Sequence, residues 1–222
     1  LGIGPRQEGH PQSFNMQAGL CDEARGRLDA EMPPVYRSMI RIGLSPHAPY
    51  SVDPRLYRRI VEHVSAHGLP VCTHLAETQE EVRFLADGRG PFRDMLERWN
   101  LWDGSFELPH CSPVEYAART GLLKCSPVLV HVNYASDADL DLLGRQPCHV
   151  VYCPRSHRFF GHEPHPYRRM LDRGINVCLG TDSLASNESL SVLDEMRFLA
   201  RLDSDLSVER ILAMGTIAGA RA

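Results

Sequence analysis

The sequence predicts an α/β fold, a partial TIM-like (β/α)8 barrel, on three observations. Short apolar runs of strand length recur along the chain, a segment with helical spacing follows each, and the unusual polar residues stand where the runs end. Parallel strands need a crossover, usually a helix, to return the chain, so regular alternation argues for a parallel sheet. About five such units are visible, whereas a closed eight-stranded barrel takes about 250 residues. A chain of 222 residues is therefore expected to carry about the last five strands, with the first strands outside it.

Residues 1–39 are rich in Gly, Pro and charge, with a weak helical signal over 18–28, and are expected to form an irregular segment belonging to the early barrel. Residues 40–222 are expected to be the C-terminal part of the barrel. Runs at 40–44, 70–75, 128–132, 149–152 and 175–179 are rich in β-branched residues and read as strands. Between the first two, Leu56, Ile60, Val61 and Val64 recur at helical spacing behind Asp53-Pro54, an N-cap followed by proline at the first helical position. Shorter stripes follow at 140–143, 170–171 and 190–199. Residues 88–125 are too long for one connection and predict inserted helices at 91–99 and 113–119.

Composition narrows the function classes. The chain is 43% hydrophobic and carries a net charge of −4, with its 28 acidic residues scattered rather than blocked. Such a surface offers no footprint for nucleic acid or an anionic membrane, so a small-molecule partner is expected, with a homo-oligomer left open. No run approaches the roughly 18 apolar residues of a membrane span, and the first residues lack a signal-peptide pattern, which makes the cytoplasm the expected location. Seven cysteines without a Cys-x-x-Cys pair are expected to be reduced and structural.

Barrels and open α/β sheets alike place their sites at the C-terminal ends of their strands. Ser45-Pro46-His47 follows the first run and Thr73-His74-Leu75-Ala76-Glu77 the second. His131-Val132-Asn133 closes the third, Cys153-Pro154-Arg155-Ser156-His157 the fourth, and Gly180-Thr181-Asp182-Ser183 the fifth. Imidazoles and a carboxylate converging on one rim suit zinc or ferrous iron. Taken singly, each residue has a plainer reading. His74 fits a buried ring bonded to backbone, Glu77 a carboxylate at a helix N-terminus, and Asp182 the cap of the following turn. Joint occurrence at successive strand ends is what favours a site. His63 and His67 lie four apart on an outer helix without the intervening glutamate of the zinc-protease motif, and are expected to be solvated. His162 and His165, beside prolines in a loop, are expected to be exposed. Tyr50, Phe159 and Phe160 offer apolar surface near the rim, though simple packing explains them as well.

Three segments, Thr73-His74-Leu75-Ala76-Glu77-Thr78, Leu129-Val130-His131 and Leu179-Gly180-Thr181-Asp182-Ser183-Leu184-Ala185-Ser186-Asn187, resemble the amidohydrolase superfamily. The branch is that of the adenosine-type, S-adenosylhomocysteine and aminodeoxyfutalosine deaminases and related chlorohydrolases. The likeness runs from about residue 40 to the C-terminus, and Ser45-Pro46-His47-Ala48-Pro49-Tyr50 adds to it. The resemblance implies a metal-dependent hydrolase that deaminates an aminated heterocycle such as an aminopurine nucleoside, using one divalent metal, zinc in the first place and Fe2+ as the alternative. It further implies that His74 and Asp182 are metal ligands and that Glu77 shuttles a proton to the substrate. Asp182 would also accept a proton from water, His131 would polarise or protonate the substrate, and His47 and Ser183 would help hold it. A chlorohydrolase or cyclic amidohydrolase with the same chemistry, and a non-catalytic fragment or scaffold, are the alternatives.

Two features depart from the pattern. The family takes two further ligands from a His-x-His motif on its first strand, and no two histidines here stand two apart. The segment from Cys153 to Phe160 stands where nucleoside deaminases usually carry Asn-Pro-x-Ser-Asn, which leaves the substrate open. The single lysine, Lys124, precedes the third run and so lies at the wrong end of the barrel to bridge two metals as a carboxylated lysine does in some relatives.

Overall fold

The computed structural model describes residues 41–102 and 107–222. The expected irregular segment 1–39 and the helical signal at 18–28 lie outside the described residues.

Four parallel strands form the sheet: β1 (Cys72–Leu75), β2 (Val128–His131), β3 (His149–Tyr152) and β4 (Asn176–Leu179), in the order β1-β2-β3-β4. Their registers align His74 with Val130, Leu75 with His131, and Tyr152 with Leu179. Spatial order therefore equals chain order. A doubly wound open sheet reverses its strand order at a switch point, whereas a barrel adds each new strand on the same side. The four strands are an arc of a barrel.

The expected run at 40–44 contributes less than a strand. Leu44 makes one parallel bridge to Val71, with Leu44 N donating to the Pro70 oxygen at 3.0 Å and Cys72 N donating to the Leu44 oxygen at 3.1 Å. The next amide that a parallel ladder would use belongs to residue 46, and proline has none. Pairing stops there, although the His47 oxygen still accepts His74 N at 2.9 Å.

The helices begin where their caps dictate. Helix α1 (Pro54–His67) has Asp53 accepting Arg55 N at 2.8 Å and ends at Gly68 in the left-handed conformation. α2 (Gln79–Asp87) is capped by Thr78, and the inserted helices α3 (Pro91–Arg98) and α4 (Pro113–Arg119) both start on proline, close to the predicted spans. A 3-10 turn (Leu122–Cys125) leads into β2. α5 (Asp137–Leu143) carries a capping box made by Ser136 and Asp139. α6 (Pro154–Phe160) and α7 (Tyr167–Asp172) connect β3 to β4, and α8 (Val192–Leu202), α9 (Val208–Gly215) and α10 (Ile217–Arg221) complete the chain.

The core lies between the sheet and these helices. Leu75, Leu129, Val150, Tyr152, Val177 and Leu179 point into it and meet Ile60, Val64, Leu140, Leu143, Met170 and Leu199. Strand alternation sends Cys72, His74, Val128 and Val130 to the opposite face, where they are half-buried. The six described cysteines are all free. Among the described residues no helix is long and apolar enough to cross a membrane.

Candidate active site

His74 is held from two directions. β1 presents it on the less covered face of the sheet, and its Nδ1 lies 2.9 Å from the His47 carbonyl oxygen. A carbonyl can only accept, so Nδ1 carries the hydrogen and Nε2 keeps its lone pair free for a ligand. The ring of His47 sits 5.0 Å from that of His74. His47 itself is exposed, with its Nδ1 2.6 Å from the Ser51 hydroxyl. Partial burial, and then the neighbouring His74, lower its pKa.

Glu77 is free of the capping duty that its position suggests. Thr78 Oγ1 accepts Glu81 N at 3.1 Å, and the wholly buried Glu81 carboxylate accepts Ala76 N at 3.0 Å and Glu77 N at 2.9 Å. Burial pushes Glu81 up to about 8, against the two amide donors that favour its ionised form. With the helix entrance satisfied by these two residues, the Glu77 carboxylate is left to the rim. Burial raises its pKa, with the nearby His74 opposing and the Asp182 charge adding. Asn133 Nδ2 donates to the Glu77 main-chain oxygen at 2.9 Å, which ties the turn after β1 to the turn after β2.

His131 completes the junction. Its Nε2 lies 3.6 Å from Glu77 Oε1, close but beyond a hydrogen bond, and its ring is 5.4 Å from that of His74. Burial, reinforced by His74 and opposed by the Asp182 charge, lowers its pKa to about 4. His131 and the following Val132 both take positive φ, 74° and 52°. Two non-glycine residues in the left-handed region, one β-branched, are backbone outliers of a kind that clusters at functional sites.

Asp182, also at positive φ (57°), ends β4's loop. Its Oδ2 accepts the hydroxyls of Ser156 at 2.6 Å and Ser186 at 2.9 Å, and its Oδ1 accepts Ser183 N at 2.8 Å. Burial acts to raise its pKa, but these donors and His131 hold it below the usual carboxylate range. The capping role is real, and it coexists with a position facing His131. Ser183 is exposed, and its hydroxyl accepts Ala185 N at 3.3 Å within the same turn. The loop is anchored by Asn187, which donates to the Thr181 oxygen at 2.7 Å and to buried Glu195 at 2.6 Å; Glu195 also accepts Arg155 N at 3.0 Å.

Sequence reasoning missed Glu81, Ser156, Asn187 and Glu195. The spacing Thr78-x-x-Glu81 is a legible helix-start signal; Ser156 and Glu195 find partners at other strand ends, in Asp182 and the Arg155 amide, and Asn187 bonds to Thr181 and Glu195 six and eight positions away, spacings longer than a turn or a helix cap spans. The expectation for His165 is corrected. It is buried rather than exposed, stacked on Tyr152 at 4.0 Å, and its Nε2 lies 2.7 Å from the His131 oxygen. Packing between two strand ends, invisible in a proline-flanked loop sequence, draws it in. His162 is half-buried and meets the Tyr134 hydroxyl at 3.1 Å, and the ring of His157 lies 5.6 Å from that of His165. His67, as expected, is exposed, bonded to the His63 oxygen. Tyr50 stacks on Phe92 at 4.0 Å, while Phe159 and Phe160 are exposed; Phe159 borders an open cavity of about 760 Å³ shared with Arg155, Phe198 and Arg201.

Among the described residues no three His, Cys, Asp or Glu side chains are grouped to hold a metal ion. The donor chemistry of two fits a divalent cation: a neutral imidazole with Nδ1–H anchored and Nε2 free, and a carboxylate held in its ionised form. His74 and Asp182 would be part of such a site, with the remaining ligands supplied from outside the described residues.

The family model described as "Amidohydrolase family" matches residues 36–222. The chain belongs to the amidohydrolase family. Over 217 residues this amidohydrolase chain is 35% identical to a 5-methylthioadenosine/S-adenosylhomocysteine deaminase of Halothermothrix orenii, a match covering 95% of the chain and 44% of that relative. It is 34% identical over 189 residues to an aminodeoxyfutalosine deaminase of Deinococcus radiodurans, covering 82% of the chain and 45% of the relative. The chain thus spans less than half the length of both. Among solved structures, the Helicobacter pylori aminofutalosine deaminase superposes with a TM-score of 0.79 at 23% identity, over 96% of this chain and 52% of that one. A zinc-bound adenosine deaminase of Xanthomonas campestris gives 0.73 at 24%, over 94% and 43%. At these identities the structural likeness speaks for the amidohydrolase barrel fold alone.

Proposed function

We propose that the protein hydrolytically deaminates an aminated heterocycle, such as an aminopurine nucleoside. The carrying observation is the convergence of His74, Glu77 and His131 from two strand ends, with His131 Nε2 3.6 Å from Glu77 and its ring 5.4 Å from His74, and with the Asp182 charge from a third strand end acting on both Glu77 and His131. The deaminase names of the relatives at 34–35% identity support the same reading.

In this reading His74 Nε2 and Asp182 hold one divalent metal, zinc or alternatively Fe2+. When bound, such an ion lowers the pKa of water toward neutrality. Asp182, ionised and carried by two serine hydroxyls, takes the proton from water as its oxygen adds to the amine-bearing carbon. Glu77 gives a proton to the substrate, and its burial favours the protonated form that a donor needs. His131, with its pKa depressed to about 4, is neutral at pH 7 and polarises the substrate by hydrogen bonding rather than as a fixed charge. His47 and Ser183, both exposed at the rim, contact the substrate. The proton held by Asp182 passes to the amine as the C–N bond breaks, so that it leaves as ammonia, and the hydroxyl proton returns to Glu77 as the carbonyl forms. Free cysteines and the absence of any charge block fit a cytoplasmic enzyme with a small-molecule partner.

The test is to incubate the purified protein, zinc-supplemented, with aminopurine nucleosides, pterins and chlorotriazines, measuring ammonia and chloride. Ammonia from an aminopurine nucleoside is the expected result. Chloride without ammonia would replace deamination by chlorohydrolysis, and release of neither would sink the proposal.

A further inference from the structure

We infer that His165 is a positioning residue for His131, holding its backbone in the left-handed conformation that brings the imidazole to the rim; this rests on the proposed role of His131. β3 ends at Tyr152 and turns into α6 at Pro154, while β2 ends at His131. The donor that meets the His131 carbonyl is accordingly a side chain, His165 Nε2 at 2.7 Å, rather than the next amide of a strand. Because a carbonyl can only accept, His165 carries its hydrogen on Nε2.

The need for such a donor follows from alternation. His131 is in register with Leu75, which faces the helices, whereas His74 is in register with Val130 on the opposite face. A regular strand would send the rings of His131 and His74 to opposite sides of the sheet. They lie 5.4 Å apart because φ of His131 is 74°. Non-glycine residues persist in this region only where their surroundings over-determine them. Val132 N, donating to the Leu75 oxygen at 2.9 Å, holds one side of the turn; His165 holds the other. His165 is buried and clamped by stacking on Tyr152, so its own ring has little freedom.

Two variants separate the donor from the packing. His165→Phe keeps a stacked ring and removes the N–H; His165→Gln removes the ring and keeps an N–H at about the reach of Nε2. With the zinc-supplemented full chain and the nucleoside giving most ammonia, H165F should lose kcat on the order of 10²-fold, the scale expected when a reacting group is misplaced by about 1 Å. Its KM should change little. H165Q should retain kcat within about tenfold, the scale of 1.4 kcal/mol or less. Independently of turnover, the His131 imidazole resonance in ¹⁵N-histidine-labelled protein should shift in H165F and stay near its wild-type position in H165Q. That second readout keeps its meaning if the wild-type protein proves not to be a deaminase. An unshifted His131 resonance in H165F would overturn the inference. So would failure of H165Q to fold while H165F folds, since the ring and not the donor would then be what matters, and equally the misfolding of both.

Discussion

The Nδ1 of His74 lies 2.9 Å from the main-chain oxygen of His47, 27 positions earlier, and this bond leaves the lone pair of His74 Nε2 free for a ligand. If that lone pair and Asp182 bind the metal, His74→Ala and Asp182→Asn should each weaken zinc binding by at least about 10–100-fold, the range seen when even an outer partner of a ligand is removed. Competition against a chromophoric chelator measures it. Wild-type affinity in either variant would remove that residue from the site.

Glu77 should behave differently. Glu77→Gln preserves shape and leaves the His74–His47 bond untouched, but it cannot move a proton. Zinc per chain should stay near the wild-type level while ammonia release falls about 10²–10⁴-fold, the usual worth of general acid–base catalysis. Parallel loss of zinc and activity would make Glu77 a ligand or a structural group instead.

Asp203 gives a pH-dependent stability. It accepts from Arg168 and from the Tyr167 hydroxyl, and the Arg168 guanidinium holds its carboxyl down to about 2. A carboxyl whose folded pKa is depressed contributes stability above its unfolded value, about 4, and loses it as pH falls through the folded value. The melting-temperature gap between wild type and Asp203→Asn should thus be a few degrees from about pH 5 upward and shrink between about pH 4 and pH 2. A gap independent of pH would show that the charge is not what matters. Salt should also narrow it, because Arg168 is exposed.

Gly43 allows the one close approach that joins residue 44 to the sheet. A Cβ there would lie 2.4 Å from the Pro70 oxygen, a backbone atom that cannot turn aside. Gly43→Ala should cost about 1–3 kcal/mol, as overpacking typically does, and loosen the Leu44–Val71 bridge that carries the His47 segment to His74. Urea denaturation at unchanged m-value reads the cost; a neutral result would mean that the two segments separate without penalty.

What could be read from residues alone was whatever depends on near neighbours. Apolar runs and helical stripes placed four of the five expected strands and both inserted helices, because alternation, proline starts and caps act over a few positions. The order of polar residues at strand ends also made His47, His74, Glu77, His131 and Asp182 the candidates for one rim, since a parallel barrel puts every C-terminal strand end on the same side. The segment at 40–44 fell short of a strand for a reason that was written in the sequence, Pro46, yet its effect depends on which amide the ladder would have used.

Tertiary structure decided the rest. By strand parity His131 belongs with Leu75 and faces away from His74; only the left-handed turn at His131, held by Leu75 and His165, brings the two rings together. His165 reads as an exposed loop histidine until packing against Tyr152 buries it. Glu195 looks like one more helical carboxylate until the Arg155 amide, 40 positions earlier, meets it beside Asn187. Local pattern therefore named the candidates for the rim. The direction of side chains there depended on hydrogen bonds between residues far apart in the chain, such as Asn133 and Glu77, 56 positions apart, for which no short-range periodicity can exist.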